Sequence, residues 1–183
     1  MTQYIAFLRG INVGGKNRVK MVELRELLTQ MGLEKVQTYI QSGNILFYSS
    51  NSKSLLTDLI EKELLKKFKF QISLVLRTFE EIEESILKLP FSNEEIDTVK
   101  SKEFETFYIA FSKELLSQNE RESLLSCKLE SEKCYITANT IFLLFSSSIV
   151  DSKLGRALNQ LNTPITVRNW KTVKKLYTLA KEH

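Results

Sequence analysis

Twice along this chain the hydrophobic pattern runs strand, helix, strand, strand, helix, strand, and a repeat of that length leaves few folds open. In the first pass, residues 4–8 form a short apolar run, and Met21, Leu24, Leu28 and Met31 then recur at helical spacing before stopping at Gly32. A glycine there is a C-terminal cap signal. "VQTYIQSGNILFY" follows, two alternating runs rich in β-branched and aromatic residues on either side of Ser42-Gly43-Asn44. It reads as a hairpin. Leu56, Leu59, Ile60, Leu64 and Phe68 mark one face of a second helix, and Ile72, Leu74 and Leu76 alternate along a fourth strand. Thr78 is placed to cap a further short helix carrying Phe79, Ile82 and Ile86.

The second pass predicts a strand over 104–111, a helix over 113–125, and a hairpin over 134–145 turning at Ala138-Asn139. A helix from Ser152, a strand over 165–168 and a last helix from about Trp170 complete it. The passes share a local signature: "LRTFEEI" (76–82) and "VRNWKTV" (167–173) both read apolar, Arg, cap residue, aromatic, two variable residues, β-branched apolar. "KLPFSNEEIDTVKSK" (88–102), around Pro90, reads as a polar connection. The expected division is 1–92, a first subdomain with a Gly-rich loop, and 93–183, a second ending in a basic helix. The implied class is α+β: tandem duplicated ferredoxin-like βαββαβ plaits, each an antiparallel sheet with helices on one face and an extra helix after it. In such a plait the first two strands run the same way. The loop after strand one (9–17) and the hairpin turn (41–44) should therefore emerge at the same end.

Composition narrows the chemistry. The only histidine is His183, so histidine triads, metal sites and proton shuttles in the body of the fold are excluded. Cys127 and Cys134 are too few for a disulfide framework, and six residues between them is not a zinc-ligand spacing. An inert thiol is favoured over a nucleophile, and no metal or cofactor is expected. Two cysteines without a disulfide framework make a reducing cytosol the simplest home, and the longest apolar run, 141–145, is far short of a bilayer, so the expectation is cytoplasmic with no membrane partner. Net charge is +4, but its placement says more: Arg9, Lys16, Arg18 and Lys20 all precede the first acidic residue, Glu23.

Within that cationic stretch, residues 10–16 match G-x-x-x-x-G-K, then Asn17 stands where a P-loop needs Ser or Thr for Mg²⁺. A helix leading straight into a hairpin also differs from the parallel sheet that carries a P-loop. A looser reading survives. Glycine N–H groups, a helix start and nearby cations suit a phosphate or carboxylate held without hydrolysis. The alternative is a tight loop with glycines at positive φ and solvated cations. "QSGN" is turn chemistry by itself, yet beside the first loop Gln41, Ser42 and Asn44 would supply uncharged donors and acceptors. Arg168 could hold an anion or serve in a structural ion pair. Asn169 reads as an N-cap, and Trp170, Val173, Leu176, Tyr177 and Ala180 trace the buried stripe of the last helix. Lys171, Lys174, Lys175 and Lys181 read as a solvated face, with an RNA or acidic-partner surface as the alternative. Strand three, "NILFY", lacks the signature of sequence-specific RNA-recognition domains.

"YIAFLRGINVGGKNRVKM", "TYIQSGNILF", "KLPF" and "RNWKTVKKL" together resemble the bacterial family catalogued as domain of unknown function family 1697, over essentially the whole chain. The resemblance implies two ferredoxin-like subdomains in one chain and no established activity. Its characteristic positions are Arg9, Gly10, Asn12, Gly14, Gly15 and Lys16, then Gln41, Ser42, Gly43 and Asn44, and Arg168, Asn169 and Trp170. Lys20 departs from the family pattern, which often has Pro at the helix start. The expectation is a cytoplasmic binding module for a small anionic or phosphorylated ligand, nucleotide-like ligands among the candidates. Arg9, Gly10, Asn12, Gly14, Gly15, Lys16, Gln41, Ser42, Gly43, Asn44 and Arg168 are the candidate ligand-binding residues. The alternatives are an enzyme using the same cleft, its catalytic residues unassigned, and a nucleic-acid or protein interaction module using the basic helix.

Overall fold

Alternating residues pair as antiparallel strands, and the helical stripes between them close over the result. The computed structural model describes residues 1–101 and 103–183. The first repeat comprises β1 (Thr2–Arg9), α1 (Met21–Gln30), β2 (Glu34–Tyr39), β3 (Asn44–Ser49), α2 (Lys53–Phe68) and β4 (Ser73–Thr78), followed by α3 (Phe79–Leu87) and α4 (Asn93–Thr98). The second comprises β5 (Phe107–Ser112), α5 (Gln118–Cys127), β6 (Lys133–Thr137), β7 (Thr140–Leu144), α6 (Lys153–Leu158) and β8 (Ile165–Asn169), followed by α7 (Trp170–Glu182). The sheet orders are β2-β3-β1-β4 and β6-β7-β5-β8, every pairing antiparallel. These are tandem ferredoxin-like α+β plaits.

The duplication reaches individual residues. Arg77 stands opposite Ile5 in the first sheet as Arg168 stands opposite Ile109 in the second. One residue on, Thr78 Oγ1 accepts the Glu81 N–H and Asn169 Oδ1 accepts the Thr172 N–H, so both strands turn into a capped helix.

In the first plait one face of the sheet, with Tyr4, Ala6, Leu8, Ile45 and Phe47, packs against Leu24 and Leu28 of α1 and Leu56, Ile60 and Leu64 of α2. Full burial of each leucine, isoleucine or phenylalanine there contributes about 1.5–3 kcal/mol. Leu59, expected on that face, is 39% exposed instead. Leu56, Ile60 and Leu64 advance four residues at a time, and Leu59 joins Leu55 on the flank of that stripe. The second plait buries Ala110, Leu124, Ile141, Leu143, Leu154 and Ile165 in a core of its own.

Three boundaries differ from expectation, each through a cap or a pairing limit. The polar connection contains α4, nucleated by a capping box in which Ser92 and Glu95 satisfy each other's backbone N–H groups; its last residue, Lys102, lies outside the described residues. The helix expected from 113 starts at Gln118, where Ser117 and Glu120 form a second capping box. The strand expected from Phe104 begins at Phe107, opposite Leu144 at the end of β7.

Spatially the chain forms two compact units, Met1–Glu84 with Lys175–His183, and Ser85–Lys174. The division at 92/93 keeps each repeat whole in sequence, whereas the unit limits fall inside α3 and α7. The end of α7 lies on the face of the first sheet opposite α1 and α2. Gln3 Nε2 donates to the Ala180 carbonyl at 2.8 Å, and the His183 ring stacks on Tyr48, the cross-strand partner of Gln3. Tyr177 stacks on Phe79 with ring centroids 5.5 Å apart. Helices on one face only, as expected for each plait, does not hold for the first.

Candidate functional site

Because β1 and β2 both pair antiparallel with β3, they run the same way, and their C-terminal ends share one end of the first sheet. The loop 10–20 and the turn 40–43 are brought together there. Leu8 N–H donates to the Gly43 carbonyl at 2.8 Å, and Asn12 Nδ2 to the Gln41 carbonyl at 2.8 Å.

The loop is itself a small hairpin. Asn12 N–H donates to the Asn17 carbonyl and Lys16 N–H to the Val13 carbonyl, with Gly14 and Gly15 at φ 58° and 75° between them. Two successive positive φ values are the mark of a two-residue hairpin turn, which is what the glycines supply. Asn17 Nδ2 donates to the Gly10 carbonyl and closes the base.

Asn12 is the hub. Its side chain donates to the Val19 and Gln41 carbonyls and accepts the Val19 N–H, all at 2.8–2.9 Å. Its φ of 55° is a conformation that asparagine tolerates better than most residues. In the turn, Asn44 is 0% exposed and donates to the Tyr39 carbonyl and to Ser42 Oγ. Asn12, Ser42 and Asn44 are thus engaged in holding loop and turn. Gly43 has no room for a side chain, since a Cβ would lie 2.7 Å from Leu8 Cβ.

The groups turned to solvent are different ones. Lys16, Arg18, Lys20 and Gln41 are exposed, Arg9 is half-buried, and a recess of about 540 Å³ opens between Asn12, Gly15, Arg18, Lys20, Glu23 and Gln41. Lys20 pairs with Glu23 at 3.2 Å, whereas among the described residues Lys16 and Arg18 face no carboxylate at ion-pair distance. Lys20 also stands at the N-cap of α1 without a side-chain cap bond, leaving the first-turn N–H groups open to other acceptors. Arg18, Lys20 and Glu23 line the recess without belonging to the candidate ligand-binding set, although Arg18 and Lys20 fall within the cationic stretch of the sequence; the signal for Glu23 is its place in the first turn of the predicted helix.

Arg168 is not among the residues gathered at this end. It lies on β8 in the second unit, where Nη1 donates to Thr166 Oγ1 at 2.7 Å and to the Val167 carbonyl, and burial pulls its guanidinium down to about 10. Burial pushes the Cys134 thiol up to about 12, so it carries no thiolate at neutral pH.

The second repeat shows what the fold requires at this end. Ser112 N–H donates to the Asn139 carbonyl, the counterpart of the Leu8–Gly43 bond, so the end of β5 and the β6–β7 turn also meet. Yet residues 113–117 suffice to reach α5, whereas residues 10–20 separate β1 from α1. The extra length is the glycine hairpin and its cations.

Fold and site together define a class: a tandem ferredoxin-like protein with a cationic hairpin loop clasped to a sheet turn in its first repeat. The chain belongs to the family described as "Protein of unknown function (DUF1697)", whose model matches residues 1–142. It is similar over its length to the structure of conserved bacterial protein SP0830 from Streptococcus pneumoniae, with 33% identity, 98% of both chains covered and a TM-score of 0.79. An unknown protein from Galdieria sulphuraria matches at 10% identity over 92% of this chain and 98% of its own, with a TM-score of 0.27, too distant to carry an argument. No curated protein matches the chain.

Proposed function

We propose that the chain is a cytoplasmic binding module for a small anionic or phosphorylated ligand, taken up where loop 10–20 meets turn 40–43. The observation that carries this reading is the contrast between the repeats: the same fold reaches α5 in five residues, so the stretch between the core residues Ile11 and Val19, which bears Lys16 and Arg18, is longer than the connection itself requires. Lys16 and Arg18 neutralise the anion, the open N–H groups of α1 add a favourable dipole, and Gln41 orients the ligand. Asn12, on the wall of the recess, and Ser42, Gly43 and Asn44 behind it hold these groups in place. Glu23 beside Lys20 favours ligands that bring a hydroxyl or amine donor with the anion, nucleotides among them. The cytoplasmic assignment rests on two free cysteines; among the described residues no helix is long and apolar enough to cross a membrane.

Thermal shifts in inorganic phosphate, sugar phosphates and nucleoside monophosphates, measured on the unaltered chain and on Lys16→Ala and Arg18→Ala, test the reading. Stabilisation by a phosphorylated compound that either variant reduces supports it. Stabilisation unchanged in both variants moves the ligand elsewhere.

A further inference from the structure

The tip of the β2–β3 hairpin holds a residue in a conformation its chemistry disfavours. Ile40 has φ 50°, in the left-handed region, where a β-branched side chain crowds its own backbone. It is also 49% exposed. The turn persists because it is fixed from three directions. Asn44 Nδ2 holds the Tyr39 carbonyl and Ser42 Oγ, Leu8 N–H holds the Gly43 carbonyl, and Asn12 Nδ2 holds the Gln41 carbonyl. Asparagine or glycine at position 40 would meet the same backbone demand without strain. Neither the turn nor the core accounts for an isoleucine there, and strain kept in place by over-determined surroundings points to function.

The loop bonded to this turn carries a second exposed aliphatic residue. Asn12 and Gln41 are bonded, and their chain neighbours Val13 and Ile40 are both exposed, Val13 at 68% on the glycine hairpin. Lys16 and Arg18 project from the same hairpin loop. Apolar tips among cations match one kind of surface well. At an anionic bilayer, aliphatic side chains enter the acyl boundary while cations meet the headgroup phosphates. Single-stranded nucleic acid is held by stacking on planar rings, and Val13 and Ile40 offer none.

We propose that this end of the first unit docks on an anionic membrane surface, Val13 and Ile40 entering the interface and Lys16 and Arg18 meeting lipid phosphates. The inference rests on the anion reading above and narrows its ligand to the headgroup of a lipid in a bilayer. The docking is peripheral and reversible, because two small aliphatic side chains and a few cations bury far less than a spanning segment.

The test is co-sedimentation of the full chain with vesicles of phosphatidylcholine and phosphatidylglycerol, against vesicles of phosphatidylcholine alone, beside thermal shifts in glycerol phosphate. The expected result is binding to the anionic vesicles only, weakened by salt and reduced about tenfold by Val13→Ser with Ile40→Asn. Ile40→Asn alone is the informative variant, because it relieves the backbone: its melting temperature should hold or rise while vesicle binding falls. A lower melting temperature would mean that the isoleucine serves the fold, and would overturn the proposal. So would equal binding to neutral vesicles, or RNA binding that Ile40→Asn abolishes. A thermal shift in glycerol phosphate without vesicle binding rejects the membrane and keeps the anion reading. No response to either probe rejects the membrane proposal and leaves the anion reading to the phosphate, sugar-phosphate and nucleotide shifts described above.

Discussion

The Asn12 side chain donates to the backbone carbonyl of Gln41 at 2.8 Å, joining two loops that twenty-nine positions of sequence separate. The same amide donates to the Val19 carbonyl, and its oxygen accepts the Val19 N–H, so one residue fixes the hairpin, the approach to α1 and the β2–β3 turn.

Asn12→Ala should therefore destabilise the protein by about 2–3 kcal/mol, the sum expected for three modest hydrogen bonds and an alanine forced to positive φ. Asn12→Asp should cost more, because a carboxylate would face two carbonyl oxygens it cannot donate to. Urea denaturation of the three proteins checks the order. A loss below about 0.5 kcal/mol for Asn12→Ala would show that the clasp forms without it.

Glycines in these loops should respond unequally. Gly14 and Gly15 have open space where a Cβ would stand, so alanine at either costs only the backbone strain of positive φ, about 1 kcal/mol. At Gly43 the new Cβ would also meet Leu8 Cβ at 2.7 Å and Ile11 Cδ1 at 2.8 Å, and Gly43→Ala should cost about 3 kcal/mol or more. Thermal unfolding of the three single variants separates the two cases, and equal losses would contradict the packing described at Gly43.

Glu120 adds a small acid-sensitive contribution to the second repeat. Backbone N–H bonds from Thr163 and from Ser117 hold its carboxyl at about 2, below its ordinary 4.5. The unfolded chain takes up this proton first as pH falls, so the contribution is complete above about 4.5 and is lost on the way down to 2. Exposure to solvent keeps it small. Glu120→Gln, which keeps an acceptor for the cap, should flatten the fall in stability across that window; an unchanged slope would assign the acid sensitivity to other carboxylates.

Tyr177→Ala removes the stack on Phe79 and the hydrogen bond to Glu83, at a cost of about 2 kcal/mol. Hydrogen exchange should quicken in β1, β3 and β4 of the first unit, although Tyr177 belongs by sequence to the second repeat. Faster exchange confined to β5–β8 would show that the helix stabilises its own repeat instead.

What the sequence made legible were the features that local chemistry decides. Period-two runs became strands, Thr78 and Asn169 became caps, and the strand directions of a βαββαβ unit placed loop 9–17 beside turn 41–44. The S-x-x-E spacing at Ser92–Glu95 could have revealed α4, and the same spacing at Ser117–Glu120 could have corrected the start of α5. Long-range choices were not legible. An asparagine beside glycines reads alike whether it faces a ligand or a carbonyl, and only the folded turn commits Asn12 and Asn44 to the backbone. Alternation reports which side a residue takes and nothing of the sign of φ, so Ile40 passed as ordinary. The last helix showed its apolar stripe, yet the surface receiving it, around Gln3, Tyr48 and Phe79, lies in the opposite half of the sequence.

That last attachment bears on how such a chain can be divided. Because the end of α7 packs onto the first unit, a gene cut at 92/93 would yield a first piece lacking residues 175–183, its Tyr48 and Phe79 rings bared to water.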